Sequence, residues 1–423
     1  MGRKNRDSGH FRPTPVEHIV LHDDKNNKKR LLIVIALIAL ALVAIAYGTF
    51  SYFDSGEGWT TISASSSAGI AESSEFTFQY CLGRTKEDSL VENKALTLIY
   101  TDTLKKVTRL FDADSSYEDI HNIYYINHHP NEVIQIEPEL YQAFEKLEQY
   151  GNRDMYLAPI YEQYTTLFYC NGDEEAIFFD PYVSQDQREY FEEVLSIISK
   201  EDSIRVELLG NDRIQLVIDD AYLQYGQELG YTRWIDFYWM KNAFIVDALA
   251  DTMIQKEYTY GNISSYDGFT RNMDQEEQMY VYPIYDRIEN VIYHAGNMQY
   301  TGQMSFVWLR DFAMKEVDNR HYYEYRDGTT RTAYIDVKDG FCKNSVNSLL
   351  AYSKNQSCVD IMLSLSPVWI DEELSEDQIL LLKEEGMDVI YGSDHAIVCT
   401  DSKVELVELY EKDNVAFLKK VLE

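Results

Sequence analysis

The fold of this chain is indicated first by the stretch VDIMLSLS, residues 359–366. Asp360 and Ser364 are four positions apart, and a helix with 3.6 residues per turn would place the two side chains next to each other. Carboxylate and hydroxyl oxygens are ligands that suit Mg²⁺ or Ca²⁺. The stretch therefore predicts a helix with a candidate site for a hard cation. The alternative is an ordinary solvated helix face.

Helices and strands alternate irregularly along the rest of the chain. Apolar residues at helical spacing predict helices over 92–111, after Pro138 up to Gly151, over 186–199 and over 376–385. Alternating or short apolar runs predict strands at 76–83, 204–209, 213–219, DVIY and AIVCT. No repeat of fixed period is present. This mixture predicts one α+β body, without independent halves, over residues 76–423.

Composition and charge limit the classes of protein. The chain has 423 residues, of which 45% are hydrophobic, so it can bury a large core. With 38 Lys+Arg against 71 Asp+Glu, the net charge is −33. Such a surface repels a phosphate backbone, and nucleic acid is therefore excluded as a partner.

The N-terminal region predicts a membrane anchor. Residues 1–30 carry eight basic and four acidic side chains, and residues 31–53 contain no charge over 23 positions. That length spans a bilayer core, and the basic flank predicts that residues 1–30 are cytoplasmic. A cleaved signal peptide is the alternative, but the polar leader is long for one. The main domain is therefore expected outside the cell membrane, after a single pass.

The residues after the predicted span read as a linker. Residues 54–75 are rich in Ser, Gly and Ala and have little apolar periodicity, which predicts a flexible stalk. The five cysteines are scattered, and no CxxC motif is present. A disulfide framework and a structural zinc site are therefore not expected.

Common catalytic motifs are missing from the sequence. There is no GxSxG, no phosphate-binding P-loop, no HExxH and no GxGxxG. His128 and His129 are followed by Pro130, which favours a turn over a metal pair. Residue types alone therefore leave the D-x-x-x-S pattern as the best chemical lead.

Eight segments in a fixed order resemble the FAD:protein FMN transferase (ApbE-type) family. They are FTFQYCLG (76–83), TLKKVTRLFDADSSYEDIHNIYYIN (103–127), IEPELYQAFEKLEQY (136–150), RDMYLAPI (153–160), IDFYWMKNAFIVD (235–247), YGNIS (260–264), AYIDVKDG (333–340) and VDIMLSLS (359–366). The family consists of exported transferases that cleave FAD and attach FMN to membrane flavoproteins, using Mg²⁺. The resemblance implies an ApbE-like mixed α/β body, with FAD and Mg²⁺ as cofactors.

Site residues follow from the same alignment. The resemblance places Asp236, Gly261, Asn262, Asp336 and Gly340 at flavin-binding positions, and it places Asp360 and Ser364 on the family's metal-binding Asp and Thr. In the family one site gathers these segments. We therefore expect Asp236, Asn262, Asp336, Asp360 and Ser364 to converge in one cleft together with Lys241.

The chain departs from the family at four places in these segments. Tyr238-Trp239 replaces Gly-Gly, Lys241-Asn242 replaces Ala-Lys, Ala333 replaces His and Tyr260 replaces Gly. Two rings at 238–239 would occupy space needed by a flavin. An ammonium at Lys241 would repel Mg²⁺, or replace it beside Asp360.

Three functions follow as hypotheses. The departures favour a degenerate homologue, a pseudoenzyme that binds a ligand or a protein partner at the cell surface. The first alternative is an active Mg²⁺-dependent transferase that flavinylates membrane or exported proteins. The second is an unrelated exported binding module that resembles the family by accident. Whether the chain is an enzyme stays open at this point.

Overall fold

A computed structural model describes residues 57–422 of the chain, apart from 87, 316–319, 394 and 413–414. The predicted tail (1–30) and transmembrane helix (31–53) lie outside the described residues. Among the residues described, no helix is long and apolar enough to cross a membrane. The described residues belong to one compact unit that starts at Glu57.

Most strands of the described residues are short, but two strands have ten and eleven residues. They are β1 Gly58–Ile62, β2 Phe76–Leu82, β3 Val133–Gln135, β4 Ile204–Gly210, β5 Arg213–Ile218, β6 Gly261–Ser265, β7 Phe269–Asn272, β8 Met279–Ile288, β9 Val291–Thr301, β10 Met304–Arg310, β11 Tyr322–Glu324, β12 Thr330–Thr332, β13 Ser348–Ser353, β14 Asp388–Ser393, β15 Ala396–Cys399, β16 Glu405–Val407, β17 Glu411–Lys412, β18 Val415–Ala416 and β19 Leu418–Val421. Nine of them form the main sheet, in the order β1-β2-β6-β7-β10-β13-β14-β15-β19. Only the last pair, β15 with β19, is parallel.

The α-helices of the described residues lie between the strands in sequence. They are α1 Ser89–Leu110, α2 Ile123–His128, α3 Pro138–Gln149, α4 Ala158–Tyr164, α5 Asp173–Ala176, α6 Gln185–Ile198, α7 Asp220–Leu229, α8 Lys241–Gln255, α9 Cys358–Trp369 and α10 Glu376–Glu384. Helix α8 contacts α1, α9, β6 and β7 and is buried along most of its length. It is the central helix of the layer that covers one face of the main sheet.

Side chains on the main sheet alternate between two apolar layers. On β13, Leu349 and Ala351 join the core that the helices form, whereas Leu350 and Tyr352 join a second core. The second core includes residues of β8, β9 and β16, which make a three-stranded sheet of their own. Because successive residues of a strand point to opposite faces, a strand buried on both sides reads as a continuous apolar run. The sequence SLLAYS of β13 has this character.

A buried carboxylate connects α8, α9 and the main sheet. Asp247 of α8 accepts hydrogen bonds from the backbone N–H groups of Cys358 (3.0 Å) and Val359 (2.8 Å), at the start of α9. The same carboxylate accepts from Nη1 of Arg271 on β7, at 2.7 Å. A carboxylate at a helix N-terminus satisfies free N–H groups and is favoured by the helix dipole. Asp247 therefore fixes where α9 begins.

The predicted elements agree with the structure except at the start of the body. The strand at 76–83, the helices after Pro138 and near 376–385, and the 204–219 hairpin are all present within a few residues. The stalk prediction is wrong for residues 58–75. Residues 58–62 form β1, which pairs with β2, and short 3₁₀ turns follow it. Only Ile62 of β1 is buried. Because an edge strand with so little buried surface needs few apolar residues, its sequence can look like that of a linker.

Replacing Asp247 with Asn tests its role in the fold. We expect a loss of about 3 kcal/mol in the free energy of unfolding, because Arg271 then keeps only the exposed Asp251 as an ionic partner, and a neutral amide with one oxygen cannot accept from all three donors of the buried carboxylate. The measurement is urea denaturation of the full-length chain. The matched control is Asp251→Asn, because Asp251 contacts the same arginine at 3.3 Å with a side chain that is 57% exposed. That control should lose less than about 1 kcal/mol, and equal losses would contradict the assignment.

Candidate functional site

A polar cavity of about 470 Å³ lies at the N-terminal end of α8. We call it the Lys241 cavity. Its charged and aromatic lining residues are Glu72, Glu75, Asp112, Asp114, Asp236, Arg233, Lys241, Arg320, His321, Phe111, Tyr169, Tyr238 and Tyr266. They come from the turn before β2, the end of α1, the 3₁₀ turn 165–169, the loop before α8, the turn between β6 and β7, and the segment before β11. The sheet and α8 therefore bring together residues that are far apart in sequence.

The loop before α8 is fixed by Asp236. Its carboxylate accepts from the backbone N–H of Tyr238 at 2.9 Å and from Nη1 of Arg233 at 3.1 Å. Arg233 also pairs with Asp114 and lies near Glu162. Burial raises the pKa of Asp236, although these two donors oppose the shift. These two hydrogen bonds are a structural reason for an aspartate at position 236, independent of any ligand.

Tyr238 has a backbone conformation that favours glycine. Its φ is +35°, in the left-handed region, where a side chain costs about 1–2 kcal/mol. Its ring lies 4.4 Å from the ring of Tyr161 and also lines the Lys241 cavity. Trp239 is buried and packs edge-on against Tyr334. One of the two rings thus occupies cavity space and the other fills core.

Lys241 carries the cavity's uncommitted cation. It forms no ion pair with any carboxylate in the part of the chain that the structure describes, although Asp236 and His321 are close enough to feel its charge. His321 is buried, and its Nδ1 has no hydrogen-bond partner among the described residues. Burial, together with Lys241 and neighbouring arginines, lowers the pKa of His321 to about 3. The cavity therefore offers an ammonium beside a neutral imidazole.

Two buried carboxylates that contact Asn242 were not identified from the sequence. The Asn242 amide donates to Asp267 at 2.9 Å and to Glu75 at 3.3 Å. Arg320 pairs with Glu75 at 2.5 Å. Burial raises the pKa of Asp267 to about 7, and the nearby Glu75 adds to the rise. The family's lysine at position 242 is therefore replaced by an amide that bridges two acids.

Asp360 lines a different cavity, of about 580 Å³, between α1, α3, α8 and the start of α9. We call it the Asp360 cavity. Its Oδ1 accepts from Nζ of Lys146 at 2.6 Å, and its Oδ2 accepts from the hydroxyl of Ser357 at 2.9 Å. Burial opposes ionisation of Asp360, but the Lys146 and Ser357 contacts prevail and hold its pKa below the usual value. Phe111 lines both cavities, so they are neighbours.

The expected glycine and asparagine positions have structural explanations. A Cβ at Gly261 would lie 2.5 Å from the carbonyl oxygen of Gln79, so close pairing of β6 with β2 requires glycine there. Ile263 on β6 has its side chain in the core that the helices form. Because successive residues of a strand face opposite sides of the sheet, the side chain of the preceding residue, Asn262, lies on the other face. Gly340 has a φ of +79° in the turn that follows Asp336. None of these three placements needs a ligand.

The six residues expected in one cleft are divided among several places. Asp236 and Lys241 line the Lys241 cavity, and Asp360 lines the Asp360 cavity. Asp336 lines a third, smaller cavity and pairs with Lys343. The expected contact between Lys241 and Asp360 is wrong, because the ammonium at Asp360 belongs to Lys146. Lys241 instead lies near enough to Asp236 and His321 to lower the pKa of each of them.

Acidification tests the environment of His321. Between pH 6.5 and about 3 an unfolded histidine is protonated while His321 stays neutral, so this group makes the folded state less stable as the pH falls. We expect His321→Phe to lose less stability than the wild type over this range, measured by thermal unfolding of the full-length chain at several pH values. His128→Phe is the control, since His128 is exposed. Parallel curves for wild type and His321→Phe would refute the burial argument.

Comparison with known proteins identifies the fold. No family model matches the sequence, and no curated protein matches it. Among solved structures, the chain is similar to the ApbE protein of Thermotoga maritima, with a TM-score of 0.52 and 13% identity over 83% of this chain and 97% of that one. The flavin transferase ApbE of Vibrio cholerae gives a TM-score of 0.48 at 14% identity, over 79% and 94% of the two chains. The resemblance inferred from the ordered segments therefore extends to the architecture, and the chain has a diverged ApbE-like fold.

Proposed function

We propose that this chain is a membrane-anchored, extracytoplasmic ApbE-like binding protein that does not transfer FMN. In this proposal residues 31–53 form the anchor, and the body binds a ligand in the Lys241 cavity. The ligand class that suits this cavity is a planar ring with one anionic group, such as a flavin nucleotide. The proposal combines the fold with the chemistry of the residues that replace the family's pattern.

The observation that carries the proposal is the position of Tyr238. The residue keeps a left-handed φ of +35°, and its ring lines the cavity. The resemblance puts glycine here, where a flavin and the backbone come close. A ring at this position reduces the room for a flavin seated as in the family, while it leaves a surface on which another ring can stack. This supports binding in an altered pose without the geometry for transfer.

Five carboxylates and three cations line the cavity, so an anionic group fits best beside a cation that is not already paired with a carboxylate. The Lys241 ammonium lacks an ion pair among the described residues, whereas Arg233 and Arg320 are paired with carboxylates. An anion would therefore be held mainly by Lys241. The buried Nδ1 of His321 adds one polar contact that no described residue fills. Phe111, Tyr169 and Tyr266 supply aromatic walls.

An active transferase is the second candidate. The observation in its favour is that Asp360 and Ser364 lie one turn apart on the same helix, α9, as the family's metal ligands would. If the chain were active, FAD cleavage would release AMP and would require Mg²⁺. This outcome is therefore built into the test below.

Titration of the full-length chain in detergent with FAD separates the two candidates. We expect quenching of flavin fluorescence that does not depend on Mg²⁺, and no release of AMP by chromatography. Lys241→Glu should weaken binding at least about tenfold, which corresponds to about 1.4 kcal/mol. Lys256→Glu, at the exposed C-terminal end of α8, is the matched control and should bind like the wild type. Mg²⁺-dependent AMP release by the wild type would contradict the proposal.

Protease treatment of intact cells tests the topology. Because the basic residues precede the apolar segment, we expect an external protease to degrade the body and to spare an epitope placed within residues 1–30. A body that is protected in intact cells but cleaved after lysis would reverse the proposed orientation. A body released into the medium would favour a cleaved signal peptide.

A further inference from the structure

The carboxylate of Asp360 is surrounded by protein donors. Besides Lys146 on Oδ1 and Ser357 on Oδ2, the hydroxyl of Tyr150 donates to Oδ1 at 3.1 Å. The Asp360 side chain is only 16% exposed. Both oxygens therefore have their hydrogen-bonding capacity largely filled without any added ion.

Ser364 is engaged by the same element. Ser364 lies near the Tyr150 hydroxyl and opposes the rise in the pKa of Tyr150 that burial and Asp360 cause, and the same Tyr150 hydroxyl donates to Asp360. Lys146 is in the last turn of α3, and Tyr150 is its C-terminal cap, four positions later. Residues four apart lie on the same side of a helix. One face of the end of α3 thus covers both side chains to which the resemblance assigns the metal.

The residues present do not fit a divalent cation. Mg²⁺ needs several oxygen ligands at close range, with waters completing an octahedron. No group of three or more His, Cys, Asp or Glu side chains that could hold a metal occurs within the described parts of the chain. Asp247, on the same cavity, is committed to Arg271 and to the start of α9. An ammonium 2.6 Å from Asp360 would in addition repel a second cation.

We propose that Lys146 is a built-in cation that takes the place of the divalent metal at Asp360. The ammonium neutralises the carboxylate, and Tyr150 and Ser357 satisfy the rest of its hydrogen bonds. The site then has no need of Mg²⁺ at any stage. This inference concerns Asp360 alone, so it holds or fails independently of ligand binding in the Lys241 cavity.

Removal of the lysine charge should create metal binding. The experiment follows free Mn²⁺ by electron paramagnetic resonance while the full-length chain is added. We expect the wild type to take up no more Mn²⁺ than Asp360→Asn does. Lys146→Met leaves the carboxylate without a cation. Because one carboxylate and nearby hydroxyl groups are then the available protein ligands, we expect weak additional Mn²⁺ uptake, at roughly millimolar free metal, above that of the wild type. Lys146→Met combined with Asp360→Asn should abolish the gain.

The matched control is Lys106→Met. Lys106 lines the same cavity and pairs with Glu139 at 2.5 Å, but it does not contact Asp360. The Lys106→Met variant should therefore gain no Mn²⁺ site at Asp360. Adding Asp360→Asn to Lys106→Met should leave the Mn²⁺ uptake unchanged. If the wild type took up Mn²⁺ and Asp360→Asn abolished that uptake, the proposal would be overturned, even if Lys146→Met failed to fold. A folded Lys146→Met that binds no more Mn²⁺ than the wild type would also overturn it.

Discussion

The interaction of Asp247 with the first turn of α9 is the constraint on which the arrangement of both cavities depends. It joins α8 to α9, whose first residue, Cys358, lies 111 positions after Asp247. Arg271 connects the same carboxylate to the main sheet. Since α9 carries Asp360 and α8 carries Lys241, the distance between the two cavities is set by this contact. A buried charge of this kind is costly to bring out of water, and three strong donors offset that cost.

The fold has kept its frame while the side chains at its cavities have changed. Asp236 and Asp247 hold loops and helix ends, and Gly261 permits two strands to approach. These roles are mechanical and need no cofactor. By contrast, Tyr238 and Lys241 alter the space and charge of a cavity without disturbing the helix that follows. Fold and chemistry can diverge in this way because they depend on different residues.

The sequence predicted the elements with clear periodicity and the order of the segments, but not the partners of the charged groups. The helix after Pro138 was predicted because its apolar spacing and its terminal glycine are local signals. Strand β1 was missed because an edge strand buries little, and GWTTI resembles a linker. The pairing of Lys146 with Asp360 joins residues 214 positions apart. No local pattern carries such information. Glu75 could not be identified as a site residue from the sequence for two reasons. It lies in the segment predicted to be a stalk, and its contact with Asn242 joins residues that are distant in sequence.

The strand order of the main sheet has a consequence for how the chain must fold. Strand β2 pairs with β6 over a separation of almost two hundred residues, and β19, the last strand, completes the sheet beside β15. Sheets built from pairings so distant in sequence form slowly, because the entropy of closing long loops is lost before the contacts form. The sheet also stays incomplete, with the backbone groups of β15 open at its edge, until β19 has been synthesised. A chain of this topology depends on being kept from aggregation until β19 is available to pair with β15.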